Sequence, residues 1–274
     1  MDSAWFKQVP KVELHVHLEG AIPLEALWQL VQKYGGDPSI PDLQTLNERF
    51  RFRDFLHFIE MWMWKNQFLK EYEDFTFIAE AVARDLHSQN VCYAEVMFTP
   101  SDFAEQGLET QKIAEAIRAG YSKVPEIELS MITDVVRHRD PKNAARNLAE
   151  INEVKNLGIV GITIGGMEDG YPPEPFADVY EKARQLGFHT SAHAGEAAGP
   201  ESVWGAIRSL KVERIGHGTN AIKDEALVDY LAENKIPLEI NLLSNVRTKV
   251  VDSYRTTPGT TLFRPRHPDI DKHR

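Results

Sequence analysis

Cysteine is almost absent from this sequence: Cys92 is the one in 274 residues. It has no partner for an internal disulfide, and no cysteine-based zinc cage can be built. Positive charge is also scarce. Lysine and arginine number 31 against 41 aspartates and glutamates, a formal net charge of −10, which offers no basic face to a nucleic-acid backbone. No apolar run approaches the roughly 18 residues of a membrane span. The opening MDSAWFKQVP lacks a basic segment followed by an apolar one, so no secretory signal is read there. These absences lead to the expectation of a soluble, cytoplasmic protein with neither nucleic acid nor membrane as partner. What is present is ordinary for a globular enzyme, 42% hydrophobic and 26% charged residues. The length suits one (β/α)8 barrel of roughly 250 residues.

Strand-like and helix-like stretches take turns along the chain. Short apolar, β-rich runs occur at residues 12–18, 92–98, 128–136, 159–165, 188–194, 214–218 and 237–243. Stretches with helical spacing lie between them, at 24–34, 75–89, 110–122, 141–157, 173–186, 200–210 and 224–233. Several open with proline or an acid, as a helix N-terminus prefers. The alternation predicts a parallel sheet covered by helices, which a doubly wound sheet and a barrel both satisfy. Residues 43–70 read as an extra helical insertion rich in aromatics. The count of strands is seven, one short of a full barrel.

The chemistry gathers at strand ends. His15 and His17, two apart in ELHVHLEG, point to the same face of a strand. Polar side chains inside a barrel need partners, and two imidazoles on one face can grip one metal ion. His193 ends the predicted fifth strand, with Glu196 three residues on in SAHAGE. His189 shares the parity of His193 but lies at the strand start, and reads as a core or bottom-face residue. His217 sits between two glycines in RIGHGTN, at the end of the sixth strand. Barrel enzymes keep their chemistry on that C-terminal face. Zinc is the natural metal for an imidazole set, and it brings its bound water to ionise near neutrality. The fourth strand, IVGITIGG, has no lysine that could bridge two metals when carbamylated. A single Zn2+ per chain is expected.

PKVELHVHLEGA, SAHAGE and RIGHGTN, in this order, resemble the motifs of the adenosine deaminase family of mononuclear zinc amidohydrolases, over residues ~8–255. The resemblance implies a TIM barrel of the metal-dependent hydrolase type with about seven strands present and the eighth missing. It implies zinc held by His15, His17 and His193. Glu196 would donate a proton to the ring nitrogen beside the reacting carbon, and His217 would orient and deprotonate the zinc-bound water. His17, Glu19 and Gly166 would meet the substrate, Gly166 with its backbone against the purine. Glu19 stands where adenosine-using members commonly carry a ribose-binding aspartate. Phe55, Leu56 and Ile59 match the apolar wall of the pocket. The other zinc deaminase type, with H-x-E and P-C-x-x-C, is excluded by the single cysteine.

The expected reaction is hydrolytic deamination of adenosine and deoxyadenosine to inosine with release of ammonia, the partner being a small purine nucleoside. The alternative is an adenine or modified-adenine deaminase, since members of that kind carry HLEG; the GGMED stretch instead favours a nucleoside. Two rivals come from other classes, a non-catalytic zinc-binding fragment and a metal-dependent phosphoesterase. The SAHAGE glutamate argues against the last, because a phosphoester needs no ring protonation.

The family's closing Thr/Ser-Asp-Asp-Pro motif has no counterpart here. Asp269 and Asp271 are separated by Ile270 in a charged tail, and no family role is carried onto them. Residues 1–255 read as an incomplete barrel and 256–274 as an irregular tail. One extra base near the codons of Thr256 and Thr257 would explain the tail: regrouped by one base, its codons permit HPVRRYFDRGIPISINTD, the expected helix, turn and Thr-Asp strand. On this reading the chain is weakly active and poorly stable. Sequencing the gene around codon 256 tests it, and DNA without an aspartate-rich strand in the shifted frame ends it.

Overall fold

In the computed structural model, residues 3–255 and 257 are described. The expectations on the rest of 256–274, Asp269 and Asp271 included, lie outside the described residues. After a short helix α1 (Ser3–Gln8), seven strands follow in the predicted places: β1 (Lys11–His17), β2 (Val91–Phe98), β3 (Glu128–Val136), β4 (Ile159–Gly165), β5 (His189–Ala194), β6 (Arg214–His217) and β7 (Leu238–Glu239). All neighbouring pairs are parallel and the strand order is the chain order. A doubly wound sheet switches direction partway along its order. Unbroken chain order is the winding of a TIM barrel, so of the two alternatives the sequence left open the barrel is the one formed. The register sets His17 opposite Met97, Val136 opposite Gly165 and Ala194 opposite His217, which brings the C-terminal strand ends level.

The covering helices begin where a side chain can take up the free amide groups of a first turn. Asp140 accepts from Lys142 N to open α7 (Pro141–Glu153), and Asp224 accepts from Ala226 N and Leu227 N to open α10 (Glu225–Glu233). Helices α5 (Tyr72–Ser88), α6 (Thr110–Tyr121) and α8 (Ala177–Gln185) complete the wall over β2–β5, and α9 (Pro200–Gly205) runs into a π-helical turn at Ala206–Leu210. The core fills the layer between helices and sheet. Phe75, Ile78, Ile113, Ile117, Ile151 and Tyr180 are fully buried there, against Ala94, Val96, Met131, Ile162 and Ala192. Each large side chain so placed contributes about 1.5–3 kcal/mol of transfer free energy.

One feature departs from the sequence expectation, and one open choice is settled. The last strand was expected over 237–243 and pairs at only two positions, Ile215 with Leu238 and Gly216 with Glu239. Its remaining residues turn into α11 (Leu242–Arg247), which leaves Leu242 and Leu243 about half exposed at 47% and 50%. His189 belongs to the bottom face and not to the core: its side chain is 73% exposed and meets Glu213 Oε2 at 2.8 Å. The insertion at 43–70 follows α2 (Leu24–Lys33) and is helical as read. It forms α3 (Leu43–Arg49), capped by Asp42, and α4 (Phe55–Asn66), capped by Asp54. Among the described residues no helix is long and apolar enough to cross a membrane.

Candidate active site

Alternation along β1 carries His15 and His17 to the same face, and β5 and β6 add His193 and His217 beside them. The rings of His15 and His193 lie 4.6 Å apart, those of His15 and His217 5.0 Å, and those of His17 and His193 5.0 Å. Close approach of β6 requires Gly216, since a Cβ there would sit 2.9 Å from His15 Cε1. His217 itself adopts φ +63°, a left-handed conformation that costs a non-glycine residue energy and is typical of functional sites.

Three of these imidazoles are held in the same way. His15 Nδ1 lies 2.7 Å from Glu239 Oε2, His193 Nδ1 lies 3.1 Å from the Ile164 carbonyl, and His217 Nδ1 lies 2.7 Å from Asn245 Oδ1. An acceptor at Nδ1 fixes the ring hydrogen there and leaves Nε2 with its lone pair. His15 Nε2 is buried and has no hydrogen-bond partner. The ligand atoms of His15, His193 and His217 all fall within 4.8 Å of one another. His17 completes the group from the side, its Nε2 3.0 Å from His193 Nε2. Burial, reinforced by the neighbouring imidazoles, holds His15 and His193 well below the usual histidine pKa. Burial, then the charges of His217 and Lys65, pushes His17 down to about 3. Neutral rings with converging lone pairs and an orphaned buried Nε2 are the donor set a borderline-soft divalent metal takes. The residues present fit zinc.

Glu196 lies against this cluster, its Oε2 3.4 Å from His217 Nε2. Burial raises its carboxyl above the usual range although His217 pulls the other way, so Glu196 is biased towards the protonated acid. Gly166, at φ +88°, follows directly on β4 and is exposed. A Cβ there would sit 2.8 Å from His138 Nδ1.

Glu19 is 1% exposed at the end of β1. Its Oε1 accepts from Thr99 N at 2.9 Å, and its Oε2 is buried without a partner. Lys65 of α4 is buried nearby, its ammonium 3.5 Å over the Trp62 ring and bonded to Asn66 Oδ1. Burial raises Glu19 and lowers Lys65, each shift being reduced by the other's charge. Phe55 and Ile59 are half-buried and Leu56 is 60% exposed. It is Trp62 that meets the His17 ring, edge-on at 5.7 Å.

Several partners of these groups escaped sequence reading. Glu239 and Asn245 hold His15 and His217 from 224 and 28 residues away. Asp134, at 5% exposure on β3, brings Oδ2 within 3.8 Å of His17 Nδ1, and burial keeps its carboxyl well above the usual range. One signal was available for Asp134: it is an acid set among the apolar residues of the C-terminal half of β3. For Lys65 the signal was weaker, a cation among the aromatics of α4.

The adenosine deaminase family model matches residues 10–268. The chain is 32% identical over 251 residues to an adenine deaminase of Ectopseudomonas mendocina, covering 90% of this chain and 79% of that one. It is 34% identical over 250 residues to an aminodeoxyfutalosine deaminase of Streptomyces avermitilis, covering 89% and 69%. A solved amidohydrolase from Burkholderia ambifaria with bound Zn superposes with a TM-score of 0.86 at 26% identity, over 96% of this chain and 75% of that one. A barrel wound in chain order, histidines converging at its C-terminal face, a buried acid beside them and these likenesses agree: the chain belongs to the adenosine deaminase family.

Proposed function

We propose that the protein is a metal-dependent hydrolytic deaminase of an aminopurine, acting on adenine or a modified adenine in preference to adenosine. Of the two readings left open by the sequence, which put adenosine first on the GGMED stretch, this is the alternative. The curated relatives named above are adenine and aminodeoxyfutalosine deaminases. The observation that carries the preference is Glu19. Its carboxylate is buried with Oε2 unpartnered, and Lys65 and Trp62 of α4 stand over the same end of the site. A free Oε2 beside a buried ammonium suits a substrate edge with one donor and one acceptor, such as N9–H and N3 of a free purine. A ribose on N9 removes that donor.

His15, His17 and His193 would hold the zinc, with His217 beside them. Bound there, zinc would lower the pKa of a water towards neutrality and supply the nucleophile. The remaining work falls to this chain's side chains. Gly166 offers its backbone to the purine face. Glu196, whose carboxyl burial raises above the ordinary glutamate value, delivers a proton to the ring nitrogen next to the amino-bearing carbon, which lowers the cost of breaking aromaticity. His217, with Nδ1 tied to Asn245, has Nε2 free to take a proton from the attacking water and pass it to departing ammonia.

Conversion of adenine and N6-methyladenine to hypoxanthine, with loss of ammonia and methylamine respectively, against that of adenosine and deoxyadenosine to inosine and deoxyinosine with loss of ammonia, tests the reading. The expected result is a kcat/KM for adenine or N6-methyladenine at least about tenfold above that for adenosine, the worth of about one lost hydrogen-bond partner. A larger value for adenosine would overturn it.

A further inference from the structure

Glu168 has no part in the proton transfers above, yet it is one of the most heavily bonded side chains in the protein. It stands two residues after Gly166, on the loop that follows β4, and is 5% exposed. Its Oε1 accepts from Gly195 N at 2.5 Å. Its Oε2 accepts from Glu196 N at 3.0 Å, Ala197 N at 2.6 Å and Ala198 N at 2.9 Å. Four successive backbone amides thus converge on one carboxylate, the arrangement of an anion-binding nest. The nest depends on Gly195 at φ +68°, where a Cβ would press to 2.6 Å from Val203 Cγ2.

The rest of the turn is gripped from the opposite side. Arg137, 3% exposed, donates to the His193 carbonyl and, at 3.3 Å, to the Tyr171 carbonyl. Asn220 Nδ2 donates to the Glu196 carbonyl at 3.0 Å and to the Ala198 carbonyl at 2.7 Å. Both backbone groups of Glu196 are therefore pinned, the N–H by Glu168 and the carbonyl by Asn220. Its side chain is left to reach His217. A buried carboxylate is costly without partners, and here burial alone would raise its pKa. Its hydrogen bonds and the charge of Arg137 outweigh that and hold it below the ordinary value.

We propose that Glu168 is a positioning residue for Glu196: the four-amide nest fixes the acid's backbone to the loop that carries Gly166, and so sets the acid's carboxyl against the purine ring that this loop would receive. The proposal rests on the deaminase reading. It adds that one acidic side chain couples the substrate-facing loop after β4 to the proton donor after β5.

The test uses Glu168→Ala, Glu168→Gln and wild type, each loaded with zinc. The readouts are kcat and KM on the best aminopurine substrate, zinc per chain, and amide exchange at residues 195–198. In Glu168→Ala, kcat is expected to fall about 10²-fold, the scale for a catalytic group displaced by about an ångström. KM should change less than about threefold and zinc should stay bound, because positioning of the acid and not substrate or metal binding is lost. Exchange at 195–198 should accelerate. Glu168→Gln, which keeps one accepting oxygen, should recover part of kcat. If Glu168→Ala does not fold, Glu168→Gln alone decides, with a smaller loss of kcat expected at constant KM. The proposal is overturned if kcat holds, if zinc is lost together with kcat, if KM rises in proportion, or if exchange at 195–198 is unchanged. Wild type inactive on every aminopurine would instead overturn the deaminase reading, and the exchange comparison would still decide whether Glu168 orders the turn.

Discussion

The ends of β1, β5 and β6 and the corner beneath α4 are adjacent, and both bury titratable groups. At the strand ends, His15, His193 and His217 each have Nδ1 tied to an acceptor, and Nε2 is the nitrogen left over. Beneath α4, Glu19 leaves Oε2 without a partner, and Lys65 sits over the Trp62 ring. On the proposed reading, chemistry would be placed by strands, whose register is rigid, and substrate choice by an inserted helix, which can change without disturbing the barrel.

The sharpest way to break this comparison is to remove the acid of the first region. Glu196→Gln should lower kcat by about 10²–10⁴-fold with zinc still bound, the usual worth of a general acid; steady-state kinetics with metal analysis reads both. A loss below tenfold would mean that the proton comes from elsewhere. Next comes the support of the metal set. Glu239→Gln removes the carboxylate behind His15 Nδ1 and should weaken zinc about 10–100-fold in a chelator competition. The second region should respond differently. Lys65→Met leaves Glu19 buried without its nearby cation, and should shift the adenine-to-adenosine ratio of kcat/KM by about tenfold with zinc affinity unchanged. An unchanged ratio would remove α4 from substrate choice.

The smallest effect on catalysis is expected at Asp74, which bonds none of the groups of either region. Asp74 accepts from Lys33 at 2.6 Å, from Tyr34 at 2.6 Å and from the Lys70 and Glu71 amides. Burial acts to raise its pKa, but these donors prevail and hold it below 3.8. A depressed acid contributes stability that is present above its unfolded pKa and is lost as pH falls through its folded one. Asp74→Asn should therefore cost about 1.5–3 kcal/mol near neutral pH. The gap from wild type should close as pH drops below about 4, while kcat at neutral pH is unaffected. Urea unfolding at several pH values measures this.

The seven strands were legible because each is a short apolar run between helical stretches, and the barrel contains all seven. The strand-end histidines were legible because two-residue spacing and flanking glycines show in one dimension. Their partners were not. Glu239 is 224 residues from His15, and Asn245 is 28 from His217; only the folded arrangement of the strands brings them together. The short β7 was misread for a related reason. An apolar PLEINLL looks the same whether it continues a strand or turns into α11, and the number of residues that find a partner on β6 decides.

On the proposed reading, four converging imidazoles and a buried acid serve a metal-dependent aminopurine deaminase. Hypoxanthine formation from adenine and N6-methyladenine should be measured on the purified protein as isolated, after removal of metal by a chelator, and after one equivalent of zinc is restored. Activity should fall to background with the metal and return with zinc. Deamination that survives chelation, or none from any aminopurine with one zinc bound, would contradict it.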